Sequence, residues 1–166
     1  MQFPADIAAD SGYVPMPRLF AWAMKDDAGA IALCLSVFAW SNQYDHIADR
    51  DLTSREAEEG ALHDAMWRIA VEVPQNPFFQ AHAAELSVSL ANAVISWRTA
   101  TRLQRDGDAH AARVAYVLRW VPIEFFLHCA RLVGGDDWAL QIAPQFWRIM
   151  TRDHSFEEFV AECGGK

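Results

Sequence analysis

The chain has 166 residues, 52% of them hydrophobic, with 7 Trp and 10 Phe, so it can bury a core without disulfide staples. Its formal net charge is −8, from 22 acidic against 14 basic residues, which argues against a phosphate-tracking nucleic-acid binder and against a polybasic membrane anchor. Cys34, Cys129 and Cys163 are odd in number and show no CxxC or zinc-finger spacing, which favours thiols in a reducing compartment.

Residues 1–16 contain Pro4, Gly12 and Pro15 and read as an N-terminal arm. This stretch has no basic region followed by an apolar one, so it does not read as a secretory signal. Pro17 opens a short helix to Met24. Asp26 or Asp27 caps the next helix, Ala28 to about Ala48. Thr53 with Glu56 has capping-box spacing and starts a helix that runs to about Val73 through Leu62, Met66, Ile69, Ala70 and Val73. Asn76 caps the longest helix, Pro77 to Arg105. Asp106-Gly107-Asp108 is a turn. A helix from Ala109 to Val133 follows, kinked at Pro122 and stopped by Gly134-Gly135. Asp136 caps Asp137 to Met150, interrupted near Pro144. Ser155 with Glu158 is a second capping box, which starts a last helix from Phe156 to about Cys163. Residues 164–166 are a frayed tail.

No stretch alternates with period two for long enough to be a strand. The expected fold is therefore all-α: one domain over residues 1–166, an antiparallel helical bundle of about five to seven helices. Its central helix is the Ala28 segment, whose first half, Ala28 to Trp40, is apolar on every side and so is expected to be buried. That run is shorter than the roughly 20 residues a membrane-spanning helix needs, and the expectation is a soluble, cytoplasmic protein without membrane or nucleic-acid partners.

The second half of the central helix carries the first candidate site. Asn42, Asp45, His46 and Asp49 recur at i, i+3, i+4 and i+7 and share one side of the helix. Two carboxylates one turn apart suit a hard cation such as Mg²⁺ or Mn²⁺, which prefers oxygen ligands. The same residues also suit a plain solvent face, because Leu33, Val37, Trp40, Tyr44 and Ile47 form an apolar stripe opposite them. Glu59 and His63, one turn apart on the following helix, would join the cluster if the two helices lie side by side. Otherwise the acidic first turn there simply complements the helix dipole.

Phe38-Ala39-Trp40-Ser41-Asn42-Gln43-Tyr44-Asp45-His46-Ile47-Ala48-Asp49 resembles the first aspartate-rich helix of squalene and phytoene synthases, within the all-helical isoprenoid synthases. The shared features are an aromatic lead-in, the DxxxD pair Asp45 and Asp49, and an apolar residue between them. The resemblance implies Mg²⁺ on that pair and a diphosphate ligand bound through it. His46 stands where the family often has a second Asp, and the family's second DxxxD is missing. Asn92 with Ser96 is similar to the Asn/Ser part of a second metal motif in related terpene cyclases, with Ala100 in place of its Glu.

Two further polar patterns stand out. Glu85, Ser89, Asn92, Ser96 and Thr99 form a largely uncharged line along the longest helix, as expected of an interhelical seam more than of a pocket. Glu124 and His128 are an i, i+4 pair just after Pro122 and could share a metal or a proton, but Arg113, Glu124 and Arg131 lie on one side, which favours a solvated salt-bridge stripe. No nucleophile elbow, P-loop, dinucleotide fingerprint or HExxH is present. Two function classes remain. The first in rank is a non-enzymatic interaction or assembly protein with a protein partner or a second copy of itself, because no complete catalytic set is visible. The alternative is divalent-cation-dependent binding, hydrolysis or transfer of a small phosphorylated or diphosphate ligand.

Overall fold

A computed structural model describes residues 14–49, 51–106, 108–152 and 155–164, without the side chains of residues 49, 106 and 162–164. Most of the expected arm (1–13) and the tail residues 165–166 fall outside it. Among the described residues every regular element is helical and there is no strand, as the hydrophobic periodicity predicts. The segments are α1 (Met16–Ala23), α2 (Ala28–Asp49), α3 (Arg55–Trp67), a π-helical turn (Arg68–Glu72), α4 (Val73–Gln75), α5 (Pro77–Ala81), α6 (Ala83–Asp106), α7 (Ala109–Arg119), α8 (Pro122–Gly134), α9 (Asp136–Met150) and α10 (Phe156–Gly164). None of the described helices is long and apolar enough to cross a membrane.

Three of the helices expected from the sequence are each divided. The Thr53–Val73 helix widens into the π turn, the Pro77–Arg105 helix breaks at His82, and the Ala109–Val133 helix breaks at Trp120–Val121. In the last case Pro122 opens a new helix instead of kinking an old one, since its fixed φ and missing N–H suit a first turn. Pro144 does the reverse of what its position suggests, because α9 runs through it unbroken.

Caps follow side-chain chemistry closely. The Asp27 carboxylate accepts from Ala30 N–H at 2.8 Å, and Asn76 Oδ1 accepts from Phe79 N–H at 3.0 Å. At α3 the cap is Ser54, which accepts from Ala57 N–H, and not Thr53. Ser155 and Glu158 form both halves of a capping box: Glu158 N–H donates to Ser155 Oγ, and Ser155 N–H to the Glu158 carboxylate. Gly135, at φ 84°, is the residue between α8 and α9, so Asp136 lies inside the first turn of α9 and does not cap it. Only glycine adopts that φ without cost.

The helices gather into two compact units, divided at Ala83–Ala84. In the first, α2 is central: α1, α3, the π turn, α4 and α5 all pack on it. Leu19, Phe20, Met24, Leu33, Cys34 and Val37 are fully buried, with Phe20 edge-on to Phe38 at 6.1 Å. The far side of α2, with Ile31, Leu35 and Phe38, is half-buried, not sealed. Three cross-links show the direction of packing. Gln43 bonds Asp64, Ser36 bonds Glu72, and Asn76 Nδ2 bonds the Gly29 carbonyl. As one residue number falls the other rises, so the chain from α3 to α5 runs antiparallel to α2.

In the second unit, α8 and α9 form a hairpin whose inner faces bury Ile123, Phe125, Phe126, Cys129, Ala130, Trp138, Ile142 and Phe146. Phe126 and Phe146 meet at 6.5 Å. The Trp138 indole lies on Gly134 so closely that a Cβ there would collide with it. A second cluster joins α6, α7 and α10 through Trp97, Ala100, Ala115 and Phe159. Cys34 and Cys129 are buried thiols; the Cys163 side chain lies outside the described residues.

Candidate functional site

The expected cation site lies at the end of α2. Asn42 is exposed and Asp45 is half-buried. His46 is exposed, with its ring 3.5 Å from the Asp51 carboxylate, while Asp51 N–H donates to the His46 carbonyl and closes the helix end. Asp49 is helical in its backbone, and its side chain lies outside the described residues. On α3, Glu59 takes the Arg55 guanidinium at 2.7 Å across one turn, and His63 is exposed. The two helices do lie side by side, as the convergence of Glu59 and His63 on Asp45 required. The residue that reaches across, however, is Gln43, to Asp64 at 3.4 Å. Among the described residues, no three His, Cys, Asp or Glu side chains come together in a way that could hold a metal ion.

Sequence reasoning overlooked a second polar locus in the same unit. Glu72, at the end of the π turn, accepts from Ser36 Oγ at 2.7 Å and from Arg68 Nη1 at 3.1 Å. The i, i+4 spacing of Arg68 and Glu72 was the available signal. Ser36 could not be assigned to it without knowing the register of the two helices. Both members of the ion pair are partly exposed, so the pair ties the widened turn to α2 with modest energy.

The third locus merges two lines of the sequence reading. His128 on α8 meets the polar line of α6: Ser89 Oγ is 2.6 Å from Nδ1, and Glu85 Oε2 is 3.5 Å from Nε2. Arg131 completes the group, 3.0 Å from Glu85 and 3.3 Å from His128 Nε2, with Asp136 at 3.5 Å on its other side. His128 thus takes cross-helix partners in place of the expected Glu124, which is exposed. Hydroxyl, imidazole and carboxylate stand here in the order that nucleophilic catalysis uses. Ser89, however, sits inside α6, where the backbone N–H groups that could stabilise an oxyanion are already bonded along the helix. Arg131, the nearby cation, lies at the opposite ring nitrogen. The group is a clasp between α6 and α8. Of the rest of the polar line, Asn92 is exposed, Ser96 is half-buried, and Thr99 Oγ1 bonds back to the Ile95 carbonyl.

Large apolar side chains in contact with solvent remain. On α3 only Ala65 is buried, while Leu62 is half-exposed and Met66 and Trp67 are each 60% exposed. On α6, Val88 is 60% and Ile95 63% exposed. No family model, curated protein or solved structure matches this chain.

Proposed function

We propose that the chain is a non-enzymatic helical interaction or assembly protein, and that α3 is a surface on which it receives another protein. The observation that carries this is the burial pattern of α3. A 13-residue helix that buries one alanine gains little from its own fold, yet it holds Leu62, Met66 and Trp67 out to water. Covering apolar area returns roughly 25 cal/mol per Å², and Trp and Met are among the side chains favoured at the centre of interfaces. Glu58, Glu59 and Asp64, all exposed on the same helix, set the complementary rim: a partner with basic residues around an apolar centre. The acidic balance of the chain, at −8, agrees with such a partner. The reading places the protein in the cytoplasm, where the Cys34 and Cys129 thiols stay reduced.

The test is site-specific photo-crosslinking from position 66 in the full chain inside cells. Discrete adducts that vanish when Trp67→Glu is added support the reading. A smear, or no adduct from position 66 while an exposed control position behaves identically, overturns it.

A further inference from the structure

The clasp between α6 and α8 decides where the proton of its imidazole sits. The His128 side chain is 19% exposed. Arg131 Nη2 lies 3.3 Å from Nε2. A guanidinium has N–H groups and no acceptor, so this bond needs a lone pair on Nε2. A neutral imidazole carries one N–H, which therefore sits on Nδ1 and donates to Ser89 Oγ at 2.6 Å. The Glu85 carboxylate is 3.5 Å from the same Nε2. It is acceptor-only, so it makes no bond to an unprotonated nitrogen, and Arg131, 3.0 Å from Glu85, bridges the two acceptors. The charged groups around the ring are Glu85 from α6, Arg131 and Glu124 from its own helix, and Asp136 at the head of α9. Glu124 is exposed, and Asp136 stands 3.5 Å from the other side of Arg131.

We infer that this group is a proton-driven switch of partners: charging His128 passes Glu85 from Arg131 to the ring and releases Arg131. A second proton can enter only at Nε2. The new N–H then points at the guanidinium, so two donors and two positive charges face each other. Glu85 is the acceptor next to both. The imidazolium takes it, because Ser89 fixes the ring from the opposite nitrogen, whereas Arg131 keeps Asp136 as a second carboxylate. α6 and α8 stay joined in either arrangement, through Arg131 and Glu85 with the ring neutral and through His128 and Glu85 with it charged. What changes is the surface. The Arg131 side chain, 45% exposed, is engaged by Glu85 in the first state. In the second it is held by Asp136 alone, which is itself mostly exposed, and is open to an anion from outside. The device lies on α6 and α8 and stands apart from the α3 reading.

The test is nitrogen-15 NMR of the full chain, with His128→Gln identifying the signals of the His128 ring. With the ring neutral, Nδ1 should be protonated and Nε2 should carry the lone pair. As the ring takes its proton, the Arg131 guanidinium signals should shift in step, and its N–H protons should lose protection from exchange with water. Arg131→Met should move the neutral ring's proton to Nε2, where Glu85 then faces it alone. Circular dichroism marks the pH range over which the helices hold. Three outcomes end the switch: a neutral native ring protonated on Nε2, Arg131 signals unmoved while the ring charges, or a ring that stays neutral until the chain unfolds. None of them touches the photo-adducts from position 66, whose absence ends the α3 reading instead.

Discussion

α3 and α8 each have 13 residues, and the chain uses them in opposite ways. α8 buries Ile123, Phe125, Phe126, Cys129 and Ala130 against α9, whereas α3 buries Ala65. Hydrophobic content does not explain the difference, because α3 also holds Leu62, Met66 and Trp67. What differs is where those side chains sit on the helix. In α8 they face a partner helix of the same unit. In α3, which packs beside α2 and bonds it through Gln43 and Asp64, the large apolar groups face outward. One helix commits its large apolar side chains to its own unit, and the other turns them to solvent.

The sharpest way to break this comparison is a pair of truncations. Phe126→Ala should cost about 3–5 kcal/mol, the range for removing a buried aromatic ring. Met66→Ala should stay within about 0.5 kcal/mol, as surface substitutions do. Urea unfolding of both variants checks this, and similar losses would erase the distinction between the helices. Next in size is Asn76→Ala, which removes both the cap on Phe79 N–H and the tie to the Gly29 carbonyl; about 1–2 kcal/mol should be lost. Asn76→Asp keeps the acceptor and loses the donor, so it should fall between the two.

A smaller effect appears in acid. Asp108 caps α7, and the N–H of Ala111 foremost, with help from His110, holds its carboxyl below the ordinary 3.8 against a lesser opposing effect of desolvation. A carboxylate whose folded value is depressed stabilises the fold fully above its unfolded value and loses that contribution as pH falls through the folded one. Asp108→Asn keeps a capping oxygen and should flatten this part of the unfolding profile as pH falls through the ordinary carboxylate value of 3.8 and below it. The cation reading is tested the same way: a rise of the unfolding midpoint with Mg²⁺ or Mn²⁺ that Asp45→Asn with Asp49→Asn abolishes supports a site at the end of α2, and no rise ends it.

Helix identity was legible wherever local chemistry decides it. Asp27, Asn76 and the Ser155–Glu158 box mark their helix starts because a short polar side chain satisfies amides only a few residues away, as Asp108 also does although its stretch reads only as a turn. The Gly134–Gly135 pair marks an end for equally local reasons, whereas Pro122 reads as a kink and in fact opens a new helix. The partners of the polar side chains were not legible, because they depend on interhelical register. Nothing within the sequence near Ser89 names His128, and nothing near Ser36 names Glu72. Periodicity also misled on α3. Leu62, Met66, Ile69 and Val73 read as one continuous inward stripe, yet Val73 is buried while Leu62 and Met66 are not.

The wide turn at Arg68–Glu72 accounts for that break and makes it adjustable. A π turn is an α-helix with one residue too many, so it offsets whatever precedes it by about 100 degrees against whatever follows. Downstream the chain is pinned, since Asn76 is moored to the Gly29 carbonyl. The offset therefore falls on α3, which is turned like a dial by a single surplus residue. Deleting that residue would rewind the dial and swing Leu62 and Met66 inward, trading a docking face for a deeper core.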